Sequence, residues 1–277
     1  MDLRPIGIFD SGLGGLTAVR EIMRVLPGEN LVYFGDTGRV PYGTRSRETI
    51  IKYTRCDLNF LMTYNIKAAV VACGTASSIA LPVVRGEFPV PMVGVIDCAA
   101  RAARDATRNG RIGVIGTPAT IKSDAYRRAL HALDPALQVV SNPCALLVPL
   151  VEDGRFARGD TVAQLLVREY LAPLLERGID TLILGCTHYP LLTDVFRDVC
   201  GPDVALISPG ATAAADTKAL LLEQGLLNTS GRRRQSSYFV SDNTVGFARS
   251  AEMFLGCPLE GELTRIEIEK YENRETE

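Results

Sequence analysis

The chain has 277 residues, a formal net charge of -2, 47% hydrophobic residues and 22% charged residues. Such a chain is a water-soluble globular protein, long enough for one large domain or two small ones, and its near-neutral charge excludes a general pull toward nucleic acid or anionic membrane. No apolar run approaches the ~18 residues of a membrane span and the N-terminus lacks the apolar core of a secretory signal, so a cytoplasmic location is expected.

Short apolar runs alternate with helical stretches. Strands are expected at 6–9, 31–34, 68–72, 92–96, 112–115, 138–140, 181–184, 204–207 and 238–240. Many are apolar throughout, as strands covered on both faces are. In the helix expected at 161–176, Val162, Leu165, Leu166, Tyr170 and Leu174 follow helical spacing. Asp160 is its expected N-cap, and Gly178 follows its last turn. This alternation predicts an α/β fold with parallel-type sheets flanked by helices. Ligands in such folds collect at the carboxyl ends of strands.

The strand ends carry the motifs. The first is Phe9-Asp10-Ser11-Gly12-Leu13-Gly14-Gly15-Leu16. Its glycines permit a tight turn and offer backbone N–H groups to an anion. A dinucleotide fingerprint would need its third glycine at Thr17, which disfavours that function. The second, Asp36-Thr37-Gly38-Arg39-Val40-Pro41-Tyr42-Gly43, reads as a loop and, beside the other strand ends, as one that contacts substrate. The third is Cys73-Gly74-Thr75, with Ala76-Ser77-Ser78 opening a helix. A thiol at a helix N-terminus is drawn toward thiolate. Glu152, in Val148-Pro149-Leu150-Val151-Glu152, reads equally as a helix-end surface charge or a site carboxylate, alongside Asp10 and Asp36. The last motif is Cys186-Thr187-His188-Tyr189-Pro190, and His188 can hold or supply a proton near neutrality. Arg232-Arg233-Arg234 reads as a solvated loop.

The seven cysteines are odd in number and form no CxxC, so neither a disulfide framework nor a zinc site is expected. Two of them stand apart through an internal echo. Residues 67–77 and 180–190 each run from an apolar strand to a small residue, a cysteine and then a hydroxyl-bearing side chain. Two α/β units are expected, 1–97 with 208–277 and 98–207, each offering one cysteine at a strand end. Two thiols facing each other across a carbon acid can exchange the roles of base and acid, since an unperturbed thiol pKa of ~8.5 keeps both forms accessible.

Taken in order, Asp10-Ser11-Gly12, Asp36-Thr37, Arg39, Pro41-Tyr42-Gly43, Ala72-Cys73, Thr75-Ala76-Ser77, Val148 to Glu152 and Gly185 to Pro190 resemble the glutamate racemases of the aspartate/glutamate racemase superfamily. The resemblance spans essentially the whole chain. It implies two α/β domains with the active site in the cleft between them. It implies interconversion of L- and D-glutamate without pyridoxal phosphate or metal, supplying D-glutamate for peptidoglycan. Cys73 and Cys186 would be the catalytic pair, assisted by Asp10, His188 and Glu152. Asp10, Ser11, Pro41, Tyr42, Gly43, Gly74, Thr75, Thr187 and His188 would bind substrate. On the same ground Cys73 would act on D-glutamate and Cys186 on L-glutamate. A homodimer is implied, and with the first motif beginning at Phe9 no N-terminal extension is expected. The family usually has Asn where this chain has Gly74, Ala at Gly38 and Glu-Pro at Asp97-Cys98. The rival readings are a racemase or decarboxylase of another small carboxylic acid, a non-catalytic amino-acid or nucleotide binder, and a Cys-His amidase, which would leave one cysteine idle.

Overall fold

A computed structural model gives the structure. It describes residues 1–231 and 234–272, so two arginines of the basic run, at 232 and 233, lie outside the described residues. The described chain forms two wholly parallel sheets. The first has the order β10-β9-β2-β1-β3-β4, with β1 Ile6–Asp10, β2 Leu31–Gly35, β3 Ala68–Val71, β4 Met92–Gly94, β9 Ser236–Val240 and β10 Glu262–Arg265. The second has the order β6-β5-β7-β8, with β5 Arg111–Gly116, β6 Gln138–Pro143, β7 Thr181–Gly185 and β8 Ala205–Ile207. The orders β2-β1-β3-β4 and β6-β5-β7-β8 match strand for strand, so the echo in the sequence corresponds to equivalent third strands, β3 and β7.

The central strands β1, β2, β3 and β7 are buried along their whole length, as their unbroken apolar runs predict. Gly7 in β1 is needed for packing, since a Cβ there would lie 2.6 Å from the Ile66 side chain. One continuous core joins helix residues 16–25, 95–106 and 209–223 with residues of both sheets. A second core covers the other face of the first sheet, beneath helix 47–62.

Three expectations are corrected. The run 92–96 is a strand only to Gly94, and a helix begins at Val95. The Ser77 hydroxyl accepts the Val95 N–H at 3.2 Å while donating to the Val71 carbonyl at 2.7 Å, which starts the helix there. The β10 strand, Glu262–Arg265, was not expected: it is a half-exposed edge strand with two charged residues in four. The helix Thr161–Leu175 does begin at Asp160, whose carboxylate accepts the Ala163 N–H at 2.9 Å. Its buried face, however, is Ala163, Val167, Leu171 and Leu174, and Leu165 is 62% exposed. The helix is apolar over a wide arc, and the small Ala163 lies fully buried on its inner face with Val167, Leu171 and Leu174 while the larger Leu165 faces outward.

Candidate active site

Strand order reverses on either side of β1 in the first sheet and of β5 in the second. Such switch points open a crevice at the carboxyl ends of the strands. Ser11 and Cys73 lie just beyond β1 and β3, and Thr117 and Cys186 just beyond β5 and β7. All four line one cavity of about 370 Å³ between the sheets, which is within the usual range for small-ligand sites. Pro41, Tyr42, Gly43, Gly74, Thr75, Glu152, Thr187 and His188 line it too. Of the residues singled out in the sequence, Asp10 and Asp36 stand behind this wall.

The glycine-rich turn serves Asp10. Its Gly12 N–H donates to the Asp10 carboxylate at 3.0 Å. Burial raises the Asp10 pKa, while the charge of His188 and the N–H groups of Gly12, Gly15 and Ser11 oppose that rise. The anion that the sequence assigns to this loop is therefore the chain's own carboxylate. The glycines also let the turn meet the second sheet. A Cβ at Gly14 would lie 2.2 Å from the Thr187 hydroxyl and 2.5 Å from His188 Nδ1. Thr17, where a dinucleotide motif would need glycine, donates to the Gly14 carbonyl at 2.8 Å and lies 2.9 Å from the Thr187 carbonyl.

Cys73 is the N-cap of the short helix Gly74–Ile79, and its sulfur accepts the Ala76 N–H at 3.5 Å. It is 5% exposed. Burial, and after it the negative charge of Asp10, push the thiol up to about 12, outweighing the Ser11 hydroxyl and the Ala76 N–H. The lowering expected from the helix terminus is present but loses to desolvation. The Ser11 hydroxyl oxygen lies 3.5 Å from this sulfur.

Cys186 has a different setting. It is 8% exposed, and its sulfur lies 3.8 Å from His188 Nδ1. The other ring nitrogen of His188, Nε2, meets the Glu152 carboxylate at 2.9 Å. Burial works against the charged imidazole, but the Cys186 sulfur and Glu152 together push His188 up to about 10. This side of the cavity thus sets the Cys186 sulfur, the His188 ring and the Glu152 carboxyl group in a row. Glu152 ends the helix Leu147–Glu152 with its side chain 47% exposed, so it is both a helix-end surface charge and a site neighbour. The Phe254 ring packs edge-on against His188 at 5.2 Å. Thr187 lies 3.5 Å from Asp10 and links the two thiol settings.

Thr117 was not anticipated. Its hydroxyl lies 3.0 Å from that of Thr75 and 2.9 Å from that of Thr120, a hydroxyl cluster joining the two sheets. Its position directly after β5, as the N-cap ahead of Pro118, is the signal that would have found it. Gly74, where the resemblance leads one to expect asparagine, lies against the other thiol's strand. A Cβ there would lie 2.7 Å from the backbone carbonyl of Gly185, so the residues just after one thiol and just before the other touch backbone to backbone. Among the described residues no group of three or more His, Cys, Asp or Glu side chains is placed to hold a metal ion, and no helix is long and apolar enough to cross a membrane.

Residues 17–217 match the family model described as Asp/Glu/Hydantoin racemase. The chain is 47% identical to a glutamate racemase of Syntrophus aciditrophicus, over 96% of this chain and 98% of that relative. It is 45% identical to one of Geobacter metallireducens, over 97% and 98%. The crystal structure of glutamate racemase from Francisella tularensis in complex with D-glutamate superposes with a TM-score of 0.90 at 38% identity, covering 98% of this chain and all of that one.

Proposed function

The chain belongs to the Asp/Glu/Hydantoin racemase family, and we propose that it interconverts L- and D-glutamate by proton transfer between Cys73 and Cys186. The observation that carries this reading is the meeting of two thiols from equivalent strand ends in one cavity. The relatives named glutamate racemase support glutamate as the substrate.

The two thiols have different neighbours. In this scheme Cys186, 3.8 Å from His188 Nδ1, is the base toward L-glutamate, and Cys73, pushed up to about 12, is the acid. Bound L-glutamate loses its α-hydrogen to Cys186. The negative charge that develops spreads into the α-carboxylate, where hydroxyls of Ser11, Thr75 and Thr187 and nearby backbone N–H groups stabilise it. A single well-placed donor of this kind contributes about 10²–10³-fold. Cys73 then delivers its proton to the opposite face. In the reverse direction the thiols start with exchanged protons. Asp10 raises the basicity of Cys73, and Glu152 holds His188 charged beside Cys186. Each unit, 1–97 with 208–277 and 98–207, supplies one thiol. The product serves peptidoglycan assembly, and the protein works in the cytoplasm as a homodimer. A racemase or decarboxylase acting on another small carboxylic acid is the second reading, favoured by Gly74 alone.

Purified protein given either enantiomer of glutamate without added cofactor should bring its circular dichroism to zero. A signal that stays constant from both enantiomers excludes the proposal, and decay with loss of carbon dioxide selects the decarboxylase.

A further inference from the structure

Behind the wall formed by residues 40–44 lies a buried polar cluster that the mechanism does not use. Asp36, just past β2, and Asp57, on helix 47–62, are both wholly buried, and Tyr42 is 1% exposed. One cation serves both acids: Arg39 Nε bonds Asp36 Oδ2 at 2.7 Å, and its Nη2 bonds Asp57 Oδ1 at 2.6 Å. The Tyr42 hydroxyl meets both carboxyl groups, through a short bond to Asp36 Oδ2 and a 2.9 Å contact with Asp57 Oδ2. A phenol has one proton to donate. It satisfies one of these contacts, and in the other a carboxyl group must supply the proton.

The remaining bonds decide which carboxyl that is. Asp36 also receives the Ser241 hydroxyl on Oδ1 at 2.8 Å, so with Arg39 and Tyr42 it has three donors. Among the described residues Asp57 has only Arg39 besides Tyr42. Two full negative charges around one guanidinium, away from water, would leave an uncompensated buried charge, which is strongly unfavourable. We propose that Asp57 is held as a neutral carboxylic acid that donates to the Tyr42 oxygen, and that this proton seats the 36–44 loop as a wall of the reaction cavity. The proton chain runs from Asp57 to Tyr42 to Asp36, with Arg39 balancing the single carboxylate. Burial, and after it the charge of Asp36, push the Asp57 pKa well above the carboxylate range, in agreement with the geometry. The titratable groups facing Asp57 are Asp36, Arg39, Tyr42 and Cys56, and the Cys56 thiol is itself pushed up to about 11, chiefly by burial. Asp57 is a positioning residue. It acts through Tyr42 and Pro41, which line the cavity, whatever acid occupies it.

The test compares Asp57→Asn with Asp36→Asn. An amide at 57 can give an N–H to Tyr42 and accept from Arg39. Asp57→Asn should therefore keep its thermal midpoint and keep the KM for glutamate within about threefold, whereas Asp36→Asn should lower the midpoint and raise KM tenfold or more. Asp57→Leu, which removes both bonds, should raise KM more than it lowers kcat. The infrared spectrum at neutral pH should contain the carbonyl stretch of a protonated carboxylic acid that Asp57→Asn abolishes. If Asp57→Asn unfolds or matches the loss in Asp36→Asn, or if the spectrum shows no such band, Asp57 is an ordinary carboxylate and the proposal fails. The infrared band and thermal midpoints do not depend on racemisation, so they remain decisive if glutamate is not the substrate.

Discussion

Placing a methyl group on Gly74 measures how closely the two thiol-bearing strand ends must approach. The Cβ of Gly74→Ala would lie 2.7 Å from the Gly185 carbonyl oxygen, where ordinary contact begins near 3.4 Å. About 0.7 Å of separation must therefore be found between two backbones. The φ of Gly74 lies outside the left-handed region, so space alone opposes the substitution. Gly185 precedes Cys186 and Gly74 follows Cys73, so the displacement passes into the thiol–thiol spacing. A misplacement of ~1 Å costs on the order of 10²-fold in rate. The alanine variant should therefore lose about 10–100-fold in kcat/KM, read by circular dichroism from both enantiomers, while its fold persists. Gly74→Asn, which installs the residue usual in the family, should be no more active than the alanine variant. An alanine variant within twofold of the parent, or an asparagine variant more active than the parent, would show that the backbone contact does not set the spacing.

Cys73→Ser and Cys186→Ser should each lower racemisation by about 10²–10⁴-fold, the worth of a positioned acid or base, and unchanged turnover in either would remove that thiol from the mechanism. In Glu152→Gln, His188 loses a partner that pushes it up to about 10, so its charged form is lost at lower pH. The alkaline limb of the kcat/KM profile should move down, and an unmoved limb would contradict the assignment. Because the folded pKa of His188 lies above its unfolded value, the stability it contributes is complete below about pH 6.5 and fades as pH rises toward 10. Urea denaturation across that window should show less decline in His188→Gln than in the parent. Thr17→Val removes the hydroxyl that lies within 2.9 Å of the Gly14 and Thr187 carbonyls, of which Gly14 keeps the backbone N–H of residue 17 at 3.0 Å. The loss should be roughly 1–3 kcal/mol of folding free energy, and a urea midpoint equal to the parent's would show the hydroxyl to be dispensable.

The central strands were legible because burial on both faces leaves unbroken apolar runs, as in 68–72 and 181–184. Asp160 was legible as a cap because the first turn of a helix needs an acceptor for its free N–H groups. The edge strand at Glu262–Arg265 was not, since an edge tolerates charge and gives no such run. The inner face of helix Thr161–Leu175 was misread because its apolar residues cover most of its circumference, and only the neighbouring elements choose Ala163 over Leu165. Within the candidate site, the cysteines and His188 announced themselves through chemistry at strand ends. Asp57 carried no such signal. It lies inside a helix among ordinary polar residues, and its part in the cavity wall arises from contacts 15 and 18 residues away in sequence. The helix-terminal lowering expected for Cys73 is a local effect, and the burial that overrides it is a property of the whole fold.

Isotope transfer in deuterated water tests the two-thiol scheme most directly. With one base on each face, the proton taken from L-glutamate stays on Cys186, and the new bond forms from Cys73, which carries deuterium from solvent. Early in the reaction, the D-glutamate formed should be fully α-deuterated while the remaining L-glutamate keeps its hydrogen. The same pattern should appear with the enantiomers exchanged. Hydrogen carried from L-glutamate into D-glutamate, or deuterium entering the unreacted enantiomer as fast as product forms, would mean that one group serves both faces, and the pairing of Cys73 with Cys186 would be wrong.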